Sequence, residues 1–175
     1  MITLQTARLT SRPIETTDAP AVFAAYASDP LVARYMTWRP HAGVADTERF
    51  LAAMEPLIAQ GSRRLLALAE RAEPAKLIGV FEARFDAHRM DVGYVLGRPY
   101  WGRGLMTEAL SAAVAWARAT PRLRRVWAVC DVYNRASARV MEKAGLGFEG
   151  VLHRWIVHPN IDDAPRDCAC YAATW

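Results

Sequence analysis

Cysteine is scarce in this chain: Cys130, Cys168 and Cys170 are its three thiols in 175 residues. So few, and an odd number, exclude a disulfide framework and point to a reducing compartment. Cys168 and Cys170 stand two apart and would share a face on a strand, but no second ligand pair follows at zinc-binding spacing. Ordinary packing is expected for all three, and no metal. Long apolar runs are missing as well. No stretch approaches the roughly 18 apolar residues of a membrane helix, and the opening MITLQTARLTSRPIE lacks the basic-then-apolar layout of a signal peptide. A cytoplasmic protein with no membrane partner is expected. Nor is charge of one sign concentrated. Lys and Arg number 22 against 18 Asp and Glu, a net charge of +4. The longest basic clusters, Arg63-Arg64 and Arg122 to Arg125, are short and bounded by apolar residues. That is a mild pull on anions and not the footprint of nucleic-acid binding.

What is present suits a folded globular chain, with 53% hydrophobic and 23% charged residues. Its length predicts a single domain, 1–175, and no repeat, low-complexity tract or long linker divides it. Alternation predicts a first strand over Ile2 to Ile14, ended by Pro13. Thr16-Thr17-Asp18 offers N-cap chemistry to an Ala-rich helix, Ala19 to Ser28. Asp29 to Val44 reads as a structured loop with one helical turn. A second helix, Ala45 to Gln60, stops at Gly61. The period then changes, predicting strands at Arg64 to Glu70, Leu77 to Phe85 and Asp91 to Leu96. Gly104 to Ala119 carries an apolar stripe of Met106, Ala109, Leu110, Ala113, Val114 and Ala117 and is predicted helical. A strand (Arg125 to Cys130), a helix (Asn134 to Ala144) and two strands (Phe148 to Val157, Cys168 to Trp175) complete a mixed α/β domain. Its strand–helix–strand units favour parallel neighbours.

The most informative segment is DVGYVLGRPYWGRGLMTEAL, Asp91 to Leu110. A strand runs into a loop holding Gly102-Arg103-Gly104, and a helix follows at once. Glycine lets backbone approach a ligand closely, and the first helical amides have no internal partners. Together with the helix dipole they make a phosphate site. No third glycine follows at dinucleotide spacing and no Lys-Ser/Thr pair as in a P-loop, so on spacing alone a plain tight turn remains an equal reading.

The order Gly93-Tyr94-Val95-Leu96, Pro99-Tyr100-Trp101-Gly102-Arg103-Gly104, Thr107-Glu108-Ala109 is more specific than its spacing. It resembles the acetyl-CoA signature of the GNAT N-acetyltransferase superfamily, in its RimJ/RimL-like ribosomal-protein N-terminal acetyltransferase branch. A second block agrees: Asn134, Ala136-Ser137, Arg139-Val140, Glu142 to Gly145, then Phe148 to Leu152. Thr6-Ala7-Arg8-Leu9 with Arg12-Pro13 is similar to that family's first strand, so the likeness touches nearly the whole chain. One departure is Pro99, where the superfamily carries Gln or Arg; Arg98 stands beside it. A main-chain pocket does not depend on that side chain.

The resemblance implies a central mixed, splayed sheet flanked by helices and direct attack of an amine on the thioester of acetyl-CoA. It implies that the coenzyme is held by Trp101 and by the segment Gly102, Arg103, Gly104, Leu105, Met106 and Thr107, whose amides take the pyrophosphate, together with Asn134 and Ser137. A main-chain N–H of Val95 or Leu96 would receive the thioester oxygen. Ser137 stands at the branch's acid position for the departing thiolate. From the residues alone, Asn134 is an N-cap and Ser137 part of the same capping arrangement, and both roles can coexist. Trp38, Arg39, Pro40 and His41 read as loop packing, while the family places an acceptor wall there. C-terminal strands in the superfamily often support dimers, so the resemblance leaves a homodimer open without fixing the oligomeric state.

No general base announces itself. Some relatives carry a carboxylate on the strand before the asparagine helix, where Trp127 and Val129 are apolar here. Asp91, Glu82, Asp131 and His153 are candidates, each expected to be a solvated or paired surface group. A lysine amine, of pKa about 10.4, is neutral roughly once in a few thousand molecules at pH 7, and an α-amine, of about 7.7–8.0, roughly once in ten. An enzyme without a strong base therefore favours an α-amine, of a protein or peptide N-terminus, or another low-pKa small-molecule amine. The alternative is a catalytically silent acyl-CoA-binding regulator on the same fold.

Overall fold

Strand-period and helix-period segments alternate along the chain as β1 (Leu9–Pro13), α1 (Ala19–Val22), α2 (Pro30–Ala33), α3 (Val44–Ala59), β2 (Arg63–Glu70), β3 (Gly79–Asp86), β4 (Arg89–Leu96), α4 (Leu105–Arg118), β5 (Arg125–Asp131), α5 (Arg135–Lys143), β6 (Gly147–Val157) and β7 (Pro165–Thr174). This is a computed structural model and describes residues 2–175. The strands form one seven-stranded mixed sheet in the order β1-β2-β3-β4-β5-β7-β6. All neighbours are antiparallel except β4 and β5. Those two pair only through Arg89–Asp91 and Arg125–Trp127. β4 stays on β3 through Leu96, and β5 stays on β7 through Asp131. Beyond Asp91 the parallel strands therefore part, and a wedge opens in the middle of the sheet.

Each face of the sheet buries its own core. The stripe predicted on α4 packs, with Met141 of α5, against Phe81, Met90 and Val92 on one face. On the other, Val22 and Tyr26 with Phe50, Met54 and Ile58 of α3 cover Leu65, Ala67 and Val80. Among the described residues no helix is long and apolar enough to cross a membrane. Cys168 and Cys170 are buried on β7, and Cys130 is buried on β5.

Several sequence expectations need correction. The first strand is short, because the chain turns at Thr6, whose amide bonds to the Leu9 carbonyl at 3.0 Å, and Gln5 folds back onto Thr10. Ile2 and Leu4 are nevertheless buried in the core. The Ala19 to Ser28 helix is a short α-helix that widens into a π turn over Phe23–Ala27, closed by Ser28 N–H on the Phe23 carbonyl at 3.3 Å. Asp18 does not cap α1; its carboxylate takes the Glu15 amide and pairs with Arg12. Finally, β5 and β6 are not parallel neighbours. β7 enters antiparallel between them, hydrogen-bonded to both.

Candidate functional site

One wall of the wedge is the main chain of β4. A Cβ on Gly79 would stand 2.2 Å from the Val95 carbonyl oxygen, so that carbonyl is aimed at β3. In an antiparallel ladder the N–H and C=O of one residue point the same way. Val95 is thus engaged with β3, and the alternate residues Tyr94 and Leu96 turn their N–H groups toward the wedge. The Leu96 carbonyl, on that same side, accepts from the Trp101 indole at 2.8 Å. Of the two residues left open by the sequence, Leu96 and not Val95 has its amide directed into the gap.

Gly102 and Gly104 lead from that wall to α4 with φ of +71° and +74°. The first helical bond runs from Glu108 N–H to the Gly104 carbonyl at 3.1 Å, and no side chain caps the start. The amides of Leu105, Met106 and Thr107 therefore have no helical partner. A Cβ at Gly102 would meet nothing within 4 Å, so the loop faces open space. Its side chains are held elsewhere. Arg103 pairs with Glu70 at 2.5 Å, and Arg8 fastens both Glu108 (2.7 Å) and the Arg103 carbonyl (2.9 Å). Arg98, beside the departure at Pro99, is paired with Asp29 at 2.9 Å.

The other wall is β5 with the start of α5. Asn134 is the N-cap: its side-chain oxygen accepts from the Ser137 amide at 3.2 Å. Only the main chain of Ser137 is used in that cap. Its hydroxyl lies 2.8 Å from the Tyr94 hydroxyl, across the gap on β4. Cys130 is buried on β5, its thiol pushed up to about 12 by burial. Tyr94 stands in the Gly93-Tyr94-Val95-Leu96 motif, where the resemblance gives it no role. The signal was its alternation with Met90, Val92 and Leu96, which puts it on the face covered by α4 and α5.

Trp38 and His41 are largely packing groups. Trp38 lies against Tyr26, and His41 sits between Trp38 and Phe50, with Nδ1 2.7 Å from Thr47 Oγ1. Arg39 is exposed and pairs with Asp163 at 3.3 Å. Asn160, in the β6–β7 turn, donates to the Ala33 and Trp38 carbonyls at 2.6 and 2.7 Å, locking that turn to this segment. The base candidates are all committed. Glu82 bridges Arg63 and Arg84 at 2.6 and 2.7 Å, and Asp91 pairs with Arg84 at 2.7 Å. Burial pushes the Asp91 carboxyl up against the pull of that arginine. His153 is exposed on Asp167. Asp131 is not at the surface: it is fully buried and takes Arg166 Nε at 2.5 Å. His158 was missed in the sequence. It is 3% exposed, and among the described residues neither ring nitrogen has a hydrogen-bond partner.

The acetyltransferase (GNAT) domain family model matches residues 8–147. The uncharacterized N-acetyltransferase YoaA of Bacillus subtilis is 31% identical over 172 residues, 97% of this chain and 94% of its own. The ribosomal protein uS5-alanine N-acetyltransferase of Escherichia coli is 31% identical over 91 residues, 52% of this chain and 45% of its own. An acetyltransferase (GNAT family) structure from Bacillus anthracis superposes with a TM-score of 0.82 at 27% identity, covering 99% of this chain and 98% of that one.

Proposed function

The chain belongs to the GNAT acetyltransferase family and is an acetyl-CoA-dependent N-acetyltransferase, and from that premise we propose that its acceptor is the α-amine of a protein or peptide N-terminus and that its site is the β4/β5 wedge. One observation supports the site: the strands part beyond Asp91, and Leu96, the uncapped start of α4 and Ser137, which meets Tyr94 of β4, all belong to the elements that border that gap. In this reading the amides of Gly102 to Thr107 take the pyrophosphate, aided by the dipole of α4. The pantetheine arm enters the wedge as a further strand would, past Asn134. The thioester oxygen meets the Leu96 N–H, which stabilises it as it gains charge. The acceptor nitrogen attacks the carbonyl carbon, the C–S bond breaks, and Ser137 gives a proton to the sulfur.

The acceptor class is argued from the base candidates. Glu82, Asp91 and Asp131 are all bound to arginines, so none is a strong free base. An amine already partly neutral at pH 7 fits such a site better than a lysine side chain. The Escherichia coli relative, named for an alanine of ribosomal protein uS5, supports a protein acceptor. An amine panel with CoA thiol release as readout tests it. Peptides with free Ala or Ser N-termini should show the highest kcat/KM, and the same peptides with blocked N-termini but free lysines should be silent. The reverse order would reject the α-amine. Tight acetyl-CoA binding without turnover on any amine would mark a silent acyl-CoA binder.

Ser137→Ala tests the proton donor. Positioned proton transfer is worth about 10²–10⁴-fold, and a thiolate of pKa about 8.5 is already a fair leaving group, which favours the low end. We expect kcat to fall roughly a hundredfold with acetyl-CoA affinity kept. Stability should change little, because the cap uses the Ser137 amide and not its hydroxyl. Full turnover in this variant would reject Ser137 as the donor.

A further inference from the structure

A serine hydroxyl is a far weaker acid than a thiol, so a proton passed from Ser137 to sulfur leaves a charged oxygen that needs support. The structure places one group against that oxygen from the opposite wall. Tyr94 OH lies 2.8 Å from Ser137 Oγ and 3.3 Å from the Ser137 carbonyl oxygen. A phenol has one proton to donate. Bonded to the carbonyl, it would leave its own lone pair to capture the Ser137 proton, which would then point at Tyr94 and away from the wedge. Bonded to Oγ, it occupies one lone pair of the serine and leaves the serine proton free to turn into the wedge. The shorter distance favours the second arrangement.

We propose that Tyr94 is a positioning residue: its hydroxyl donates to Ser137 Oγ, aims the serine proton at the departing sulfur, and steadies the charge that Oγ carries once the proton is given. The inference rests on the reading of Ser137 as proton donor. The Tyr94 O–H bond does not break. The Ser137 O–H bond breaks as the S–H bond forms, and Ser137 recovers a proton from water, which takes the one released by the acceptor nitrogen. One proton passes, in net, from nitrogen to sulfur. Burial holds the Tyr94 phenol well above its ordinary value, so it remains a donor throughout the working pH range. Burial likewise keeps Cys130 of β5 a thiol, so it adds no thiolate that would draw the serine proton.

Tyr94→Phe removes this hydroxyl and keeps the ring packed in the core. A hydrogen bond to a charged group predicts a loss in kcat of roughly tenfold, with KM for acetyl-CoA within about twofold. The solvent deuterium isotope effect on kcat should change with it, which a purely structural role would not require. The deciding measurement is the cycle with Ser137→Ala. If Tyr94 acts through Ser137, the double variant should be no slower than Ser137→Ala alone. Additive losses would mean that Tyr94 works elsewhere, and the proposal falls. Normal turnover in Tyr94→Phe beside a slow Ser137→Ala overturns the role of Tyr94 alone. Normal turnover in Ser137→Ala removes the premise instead.

Discussion

Gly104 carries φ of +74° at the first position before α4, where a Cβ would have room: the nearest atom, an Arg8 guanidinium nitrogen, would stand 3.7 Å away. The constraint there is conformation and not space. An L side chain in the left-handed region costs about 1–2 kcal/mol, and a β-branched one resists it further. Gly104→Val should therefore lower folding stability by about that much. Acetyl-CoA affinity should fall by at least roughly tenfold, about 1.4 kcal/mol, because a residue forced out of the left-handed conformation re-aims the partnerless amides that follow it. A melting curve and a calorimetric titration separate the two. Affinity within about twofold of the parent would leave Gly104 as a turn residue only. This position was legible in the sequence because the glycines and the helix start are local. Tyr94 was not, because its partner lies 43 residues away and meets it only across the wedge. His158 was illegible for the same reason, its surroundings coming from β5, the β6–β7 turn and the segment near Tyr35.

At the scale of elements, the start of α5 is held by a single side chain, since Asn134 takes the Ser137 amide at 3.2 Å. Losing such a cap costs about 0.5–2 kcal/mol. Asn134→Ala should lower stability by that amount and loosen the Ser137 hydroxyl at the same time, so kcat should fall with the melting temperature. Asn134→Asp keeps the acceptor oxygen and should restore both. Asn134→Ala with parental stability and turnover would show that the cap is dispensable. The cap was readable because Asn134 and Ser137 are three apart. Periodicity also placed α3, α4 and the central strands within a few residues. It could not show the π turn at Phe23–Ala27, which keeps an apolar pattern while adding one residue to a turn. Nor could it show β7 between β5 and β6, because a strand–helix–strand pattern leaves open which strand later fills the space beside β5.

At the scale of the whole molecule, His158 is a buried ionisable side chain whose ring nitrogens have no hydrogen-bond partner among the described residues. His158 has its Nε2 4.0 Å from the Asp131 carboxylate, but Arg166 already holds that carboxylate, and the ring lies edge-on to Tyr35. Burial lowers its pKa below the ordinary 6.5; the pull of Asp131 opposes this and Arg166 adds to it. The folded state thus keeps His158 neutral where the unfolded chain would be protonated. Its contribution is full above pH 6.5 and is lost as pH falls through the lower folded value. His41, also lowered by burial, acts in the same direction, and Asp91, raised by burial, acts in the opposite one. Asp18 is depressed below its ordinary 3.8 and titrates outside this window. Melting temperature should therefore drop between about pH 8 and about pH 5. His158→Gln removes one titrating group and should flatten that drop, even if it lowers the value at pH 8. A parallel displacement of the two pH curves would show instead that His158 does not titrate on unfolding. The same comparison run on kcat/KM for an N-terminal peptide asks whether the junction of β5, the β6–β7 turn and the Trp38 segment loosens when His158 is charged. An acid-side loss of activity that disappears with the imidazole would tie turnover to the titration of this one buried ring.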